Sequence, residues 1–208
     1  MKSLGLVLTV ALMSLSTAFA QSDAHKSHAY QSETQKSAAQ QPDPQKSSPA
    51  PTEAQKSFDT MKSLAGSWEG RPKVTPPVPD VDGKSATVTF RVASRGHTLM
   101  HDLKIEGMPD NPITMLVVDA ERLLLTHYCD GDNRPRMVGK MSADGKTVEF
   151  DYLDISGNLN HGHMHHAVFT FIDANHHIEE WTYMMPGDKP IVVHFDLQRV
   201  PAASARLQ

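Results

Sequence analysis

Four histidines fall within six residues of this chain, just before an apolar stretch. They are His161, His163, His165 and His166, in the segment HGHMHH. Side chains two residues apart on a strand share a face, so His163 and His165 are placed to bind one metal ion together. Imidazole with methionine nearby suits Cu or Zn, but the spacing matches no established zinc motif, and neither Cys nor a carboxylate is fixed beside it. The segment predicts either a Cu or Zn site or a solvated loop.

A second group of polar and aromatic residues is spread along several predicted strands. Its members are candidates for contact with a ligand in the interior of the protein: His101, His127, Tyr152, Trp181, Tyr183 and Phe90. Small-molecule sites are mostly apolar, with a few polar groups of this kind. The group predicts either a binding cavity or an interior filled by these side chains. The inward position of His127 stays open, because both faces of its strand are apolar.

The chain offers few arrangements that could carry catalysis. His127 and Cys129 lie two residues apart, but catalytic Cys–His pairs usually come from distant segments and need a third, orienting group. Glu179 and Glu180 precede Trp181, yet adjacent residues on a strand face opposite ways. The G-x-S-x-G, Walker, Rossmann-glycine and H-E-x-x-H motifs do not occur. Binding is therefore favoured, and an enzyme that uses the interior is the alternative.

Turn signals divide the chain after the first predicted helix into about ten strands. Asp144-Gly145 is the strongest hairpin signal, and its register gives Tyr152 the inward parity. A turn at Arg95-Gly96 places Phe90 opposite His101, both inward. A slip of one residue there would bury charged side chains, which is costly.

Later strands are placed by the same reasoning. A three-residue loop after residue 173, with Asn175 or His176 in the left-handed conformation, would set Phe169 opposite Trp181. The last strand alternates so that Arg199 shares the face of its apolar residues, while His194 lies on the other face. These patterns predict an all-β fold: an antiparallel up-and-down barrel of about ten strands with a short N-terminal helix.

Gly66-Ser67-Trp68, which follows the helical pattern and opens the first strand, and Arg199 in the last strand carry a family resemblance. A helix, G-x-W, an antiparallel meander and a late arginine in this order resemble the calycin superfamily of lipocalins, fatty-acid-binding proteins and nitrobindin-like barrels. The resemblance covers roughly residues 53–200. It implies that Gly66, Trp68 and Arg199 are structural, with Arg199 over the indole of Trp68 in a cation–π contact.

The resemblance also implies a function. It predicts a small apolar or amphipathic ligand held in the barrel interior. Nitrobindin-like proteins hold haem through a histidine, but the ligand motif matches no histidine here, and His194 has the outward parity, so haem is not favoured. The stretch from Leu125 to Cys129, with Asn133-x-Pro135-Arg136 after it, is similar to bacterial exported lipocalin-like proteins without an assigned activity. The mouth of the cavity is predicted near this loop.

The N-terminal part of the chain divides into three segments. Residues 1–20 have the basic start, apolar run and A-x-A site of a secretory signal peptide, which predicts a periplasmic or extracellular protein without membrane insertion after cleavage. Residues 21–51 carry degenerate copies of a ten-residue repeat with almost nothing apolar, so we expect a disordered linker. The domain is predicted over residues 52–208, with Thr52 as N-cap of the helix and Gly66 as its stop.

The charge of the exported chain argues against one class of partner. The full chain has 20 basic and 24 acidic residues, and removal of Lys2 leaves 19 − 24 = −5. Binding to phosphate groups needs clustered Lys and Arg. A nucleic-acid partner is therefore not expected, and a small molecule is.

Overall fold

A computed structural model describes residues 50–201 of the protein. The predicted signal peptide and nearly all of the predicted linker lie outside these residues. In the described part, one α-helix and ten antiparallel strands form a closed barrel, so the predicted fold class is confirmed. The helix is α1 (Glu53–Lys62), and the strands are β1 (Gly66–Thr75), β2 (Ala86–Ala93), β3 (Thr98–Ile105), β4 (Ile113–Asp119), β5 (Arg122–Tyr128), β6 (Asn133–Met141), β7 (Thr147–Gly157), β8 (His163–Asp173), β9 (His176–Met185) and β10 (Lys189–Arg199). Within this range no helix has the length and apolar character needed to cross a membrane.

Helix α1 closes one end of the barrel. Thr52 caps it, because its hydroxyl oxygen accepts the backbone N–H of Gln55 at 3.1 Å. Phe58 and Met61 are fully buried and join the core inside the strands. The helix ends at Lys62, before the predicted stop at Gly66, which instead opens β1.

Position 66 needs a glycine because Arg199 of the last strand lies close to its backbone. Its φ is +130°, and a Cβ at this position would lie 2.7 Å from Nη1 of Arg199. A side chain here would therefore meet both backbone strain and a clash. Glycine at this position permits the close approach of Arg199 and does not end the helix.

Trp68 and Arg199 meet beneath the closed end of the barrel. They are opposite each other in the β1–β10 ladder, and Cζ of Arg199 lies 4.0 Å from the Trp68 ring centroid. The guanidinium donates to the carbonyl oxygens of Ser63, Ala65 and Ala174 at 2.7–3.0 Å. This one side chain joins the end of the helix to two strands and to the turn before β9.

Each strand pairs with its neighbours in sequence, and β1 pairs with β10 to close the sheet. The predicted registers of the β2–β3 and β6–β7 hairpins are confirmed: Phe90 lies opposite His101, and Gly139 lies opposite Phe150. The open question about β5 is also resolved, because His127 is buried and only 4% exposed.

The predicted register of β8 and β9 is wrong by two residues. Asp173 pairs with His176, so the loop has two residues, and neither Asn175 nor His176 has positive φ. Phe169 lies opposite Glu179 instead of Trp181. The ladder also shifts between Phe171 and Asp173, where β8 carries an extra residue. Because the error is an even number, Trp181 keeps its inward orientation.

Candidate functional site

A cavity of about 300 Å³ occupies the barrel at the end away from α1. Its walls come from strand ends remote from the helix and from the β1–β2 loop, which contributes Val78 and Val81. Most of the lining is apolar, including Leu103, Ile105, Met164, Ile191, Val193 and Phe195. The volume is at the lower end of the range for small-molecule sites, about 300–1,000 Å³.

Four of the six predicted ligand-contacting residues line this cavity: His101, His127, Trp181 and Tyr183. Phe90 lies behind the wall, with its ring edge-on to His101 at 4.9 Å between centroids. The interior position predicted for Tyr152 is not observed, since this residue is 36% exposed and stacks on His165. The reason is that the β7–β8 pairing ends at Asp151, so Tyr152 lies where the two strands separate.

A fully buried carboxylate, that of Glu179, holds the polar side chains of this region together. Its Oε2 accepts from Nε2 of His101 at 3.0 Å and from the indole N–H of Trp181 at 2.9 Å. Its Oε1 accepts from Nε2 of His177 at 3.0 Å. A carboxylate has no proton to donate, so both imidazoles donate from Nε2. Two cavity-lining rings are thereby fixed in orientation by one acceptor.

The ionised form of Glu179 is stabilised despite its burial. Burial alone raises the pKa of this carboxyl, but the His101 and His177 side chains outweigh it, and the pKa lies well below its usual range. Three donated hydrogen bonds to a carboxylate have this effect in general. Within the described residues, Nδ1 of His101 and Nδ1 of His177 have no hydrogen-bond partner.

His127 provides a second imidazole beside Trp181, and it is neutral at neutral pH. Its ring centroid lies 5.8 Å from that of Trp181, and the His101 ring lies 5.5 Å from the same indole. Nδ1 of His127 is 2.8 Å from the hydroxyl of Thr114, which leaves Nε2 for a bound molecule. Burial, and next the neighbouring His101, lower the pKa of His127 to about 3.

Three residues with acidic or thiol groups stand at the mouth of the cavity. Asp110, Cys129 and Asp130 each place one oxygen or sulfur atom within 4.8 Å of the others, and all three line the cavity. Burial raises the pKa of the Cys129 thiol, which is therefore uncharged at neutral pH. Cys129 and Asp130 belong to the loop where the mouth was predicted, although that loop is short, because β6 begins at Asn133.

The four histidines of the segment HGHMHH lie outside the cavity and contact three different groups of atoms. Nε2 of His163 lies 3.2 Å from Nδ1 of His165. His161 contacts the backbone carbonyl of Gly131 at 3.1 Å, whereas His166 lies 2.9 Å from Glu149. His163 and His165 therefore form a pair, and the other two predicted metal ligands do not join it.

Glu179 and His177 were missed as members of the site by sequence reasoning. The signal was present: once Trp181 is inward, residues 179 and 177 on the same strand are inward too. It was passed over because burial of an ionised carboxylate is rare without partners, and its partner His101 comes from β3, a distant part of the chain.

The described residues fit haem poorly. The cavity is at the small end of the range for bound molecules. His194 lies on the outer face of β10, where its Nδ1 is 3.4 Å from Glu180. Neither observation supports a haem site in the described residues.

Comparison with known proteins gives the fold alone. No protein-family model matches the chain, and no curated protein matches it. Rv2717c from M. tuberculosis has a similar structure, with 16% identity, a TM-score of 0.50, and coverage of 70% of this chain and 98% of that one. A DUF3598-family protein of unknown function from Nostoc punctiforme PCC 73102 has 14% identity and a TM-score of 0.48 over 67% of this chain. The match spans about half, 48%, of the Nostoc chain.

Proposed function

We propose that this protein is an exported calycin-like barrel that binds a small apolar or amphipathic molecule in its interior. The observation that carries the proposal is the cavity of about 300 Å³, whose wall is mostly apolar and includes two imidazoles, an indole and a phenol. This composition is typical of small-molecule sites. The contact of Arg199 with Trp68 supports the calycin resemblance.

The polar side chains of the wall are positioned before any ligand arrives. Glu179 fixes the rings of His101 and Trp181 through hydrogen bonds of 3.0 and 2.9 Å, and Thr114 holds His127 at 2.8 Å. Such preorganisation reduces the entropy lost on binding. A bound molecule would meet the ring of Trp181 and the two imidazoles.

The proposal is tested by filling the cavity. Val193 lines it, and Val192 is the next residue on β10 with the opposite parity. We expect Val193→Phe to weaken binding of 1-octanol, measured by isothermal titration calorimetry, at least about tenfold, which is 1.4 kcal/mol. Val192→Phe is the matched control and should leave the affinity unchanged. Equal affinities for both variants would place the binding site elsewhere.

Export is tested separately. The segment of residues 1–20 carries a signal-peptide pattern, which supports cleavage before Gln21. N-terminal sequencing of the protein isolated from its own host should begin at Gln21. A chain that retains Lys2 would contradict this part of the proposal.

A second candidate function is Cu or Zn binding by His163 and His165. Metal–nitrogen distances of about 2.0–2.1 Å place two ligating nitrogens about 2.9–3.4 Å apart for angles between a right angle and tetrahedral. The observed separation of 3.2 Å falls in this range. Burial, and then the neighbouring His165, lower the pKa of His163, which favours the neutral imidazole that metals require.

The metal proposal is tested by titrating the protein with Cu²⁺ and Zn²⁺. The double variant His163→Ala/His165→Ala should lose the tightest site. His161→Ala is the control from the same segment, because its ring contacts Gly131 and not the pair. Unchanged affinity in the double variant would exclude this site.

A further inference from the structure

Acidic side chains are concentrated at the mouth of the cavity. Asp110 and Asp130 stand at the mouth. Deeper in the barrel, the Glu179 carboxylate bonds directly to His101 and Trp181, which are part of the wall. Among the residues that line the cavity in the described part of the chain, none is Lys or Arg.

The remaining polar groups of the wall do not offset these charges. Burial raises the pKa values of the Cys129 thiol and of the Tyr183 phenol, so both are neutral at neutral pH. His127 is also neutral, since burial holds its pKa at about 3. An anionic ligand would therefore meet two carboxylates at the entrance and find no Lys or Arg beyond them, which disfavours its ionised form.

We propose that the cavity selects a cationic amphiphile, namely an amine on a small apolar body, with the ammonium group at Asp110 and Asp130. This rests on the proposed function of the cavity as a ligand site. An ammonium group has three N–H donors. Asp110 uses Oδ2 to accept the backbone N–H of Asp130 at 3.3 Å, and its second oxygen and the Asp130 carboxylate are left for those donors.

The position of the two aspartates suits such a head group. Asp110 is half-buried and Asp130 is exposed, so an ammonium there keeps part of its hydration while the apolar body enters the cavity. Charged groups on apolar stems adopt this arrangement generally. The full desolvation cost of a buried ion is then avoided.

The test compares three probes with the same eight-carbon chain: 1-octylamine, 1-octanol and octanoate. Their affinities are measured by calorimetry at neutral pH and low salt. We expect octylamine to bind at least about tenfold more tightly than octanoate, because its ammonium group donates charge-assisted hydrogen bonds to the two carboxylates, which repel octanoate. Octanol should lie between them. In Asp110→Asn/Asp130→Asn, the amine and the carboxylate should differ by less than about threefold.

The matched control is Glu121→Gln, which removes an exposed carboxylate from the β4–β5 turn at the helix end of the barrel. It should retain the full preference for the amine. If circular dichroism shows that the double variant is unfolded, the single variant Asp130→Asn replaces it, because this side chain is exposed. The preference of that variant for octylamine over octanoate should be smaller than that of the wild type.

The outcomes separate the two proposals. Octanoate binding as tightly as octylamine, or a preference that survives loss of the aspartates, would overturn the charge selection and leave the cavity as a binding site. Failure of all three probes to bind would overturn both.

Discussion

Replacing the buried carboxylate of Glu179 by an amide of the same shape should strongly lower the stability of the barrel. Its two oxygens accept three N–H donors, from His101, His177 and Trp181. In Glu179→Gln the side chain keeps its shape, but an NH₂ group replaces one of the two carboxylate oxygens. This group donates hydrogen bonds, so it faces at least one of the three N–H donors and cannot accept from it. The variant thus leaves a buried donor without an acceptor and removes the charge opposite the imidazoles.

The magnitude follows from the burial and the number of partners. A buried donor left without an acceptor costs about 1–3 kcal/mol, and removal of one member of a buried ionic pair costs about 3–5 kcal/mol. The two costs arise from the same atoms and are therefore not added. We expect the larger one, a loss of about 3–5 kcal/mol in the free energy of unfolding. For a chain of this size, that lowers the midpoint of thermal unfolding by about 6–20 °C.

Glu180→Gln is the matched control. Glu180 is the adjacent residue on β9, points outward and is half exposed, with His194 at 3.4 Å. Exposed pairs of this kind contribute about 0–1 kcal/mol. Both variants are measured by equilibrium urea unfolding at neutral pH, followed by far-UV circular dichroism. If the two glutamines shift the midpoint equally, the hydrogen-bonded carboxylate does not stabilise the fold as argued.

The difference between wild type and Glu179→Gln should depend on pH. The net effect of burial and of the two histidines lowers the pKa of Glu179 from 4.5 on folding. The stability that comes from this shift is fully present above the unfolded-state pKa, and it is lost as the pH falls towards the folded-state pKa. The gap between the two proteins should therefore narrow below about pH 4.5, and a gap that stays constant would contradict the charge argument.

Two more predictions concern the neutral imidazole and the closed end. His127 has a folded-state pKa of about 3 against 6.5, so it should make the wild type lose about 1.4 kcal/mol per pH unit between these values on acidification. His127→Gln should reduce that slope in urea unfolding, while His97→Gln, at an exposed position, should not; equal slopes would refute the assignment. Arg199→Ala should cost about 1–3 kcal/mol through its lost cation–π contact and carbonyl bonds. Arg122→Ala, which breaks the exposed ion pair with Asp119, should lower the free energy of unfolding by less than about 1 kcal/mol. If thermal unfolding gives similar losses for the two arginine variants, Arg199 does not stabilise the closed end as argued.

Turn chemistry and burial cost were enough to predict much of the barrel. The β2–β3 register followed from one rule: the alternative buries Asp102 and Lys104, whose charges have no partners inside. The same parity placed His101 in the interior, where it lines the cavity. Such predictions succeed because a strand has only two faces and the energetic difference between them is large.

The sequence did not predict the strand partners where the pairing is irregular. β8 gains extra residues near His165 and before Asp173, and β6 and β7 shift register between Arg136 and Met137. A bulge changes the partner of every later residue but leaves no distinct composition at the point of insertion. This is why Phe169 was assigned the wrong partner. Tyr152 has its predicted partner Met137, but it lies outside the interior because the β7–β8 pairing ends at Asp151.

The barrel's closed end and its cavity are connected by a column of aromatic and polar side chains. Arg199 lies over Trp68, whose ring meets that of His177 edge-on at 4.2 Å. His177 bonds to Glu179, which in turn holds His101 and Trp181 in the cavity wall. The pair of residues that carried the family resemblance is thus connected, through His177 and Glu179, with two side chains of the cavity wall.

This connection determines what the cavity wall can present. The N–H of Trp181 and the Nε2 of His101 are already committed to Glu179, so neither is available to a bound molecule. Trp181 therefore presents its ring surface, and the polar atoms of the wall without a protein partner are Nδ1 of His101, Nε2 of His127 and the hydroxyl of Tyr183. With so few polar contacts inside, the apolar body of a ligand determines how well it fits, and the carboxylates of Asp110 and Asp130 at the mouth determine which charge it carries.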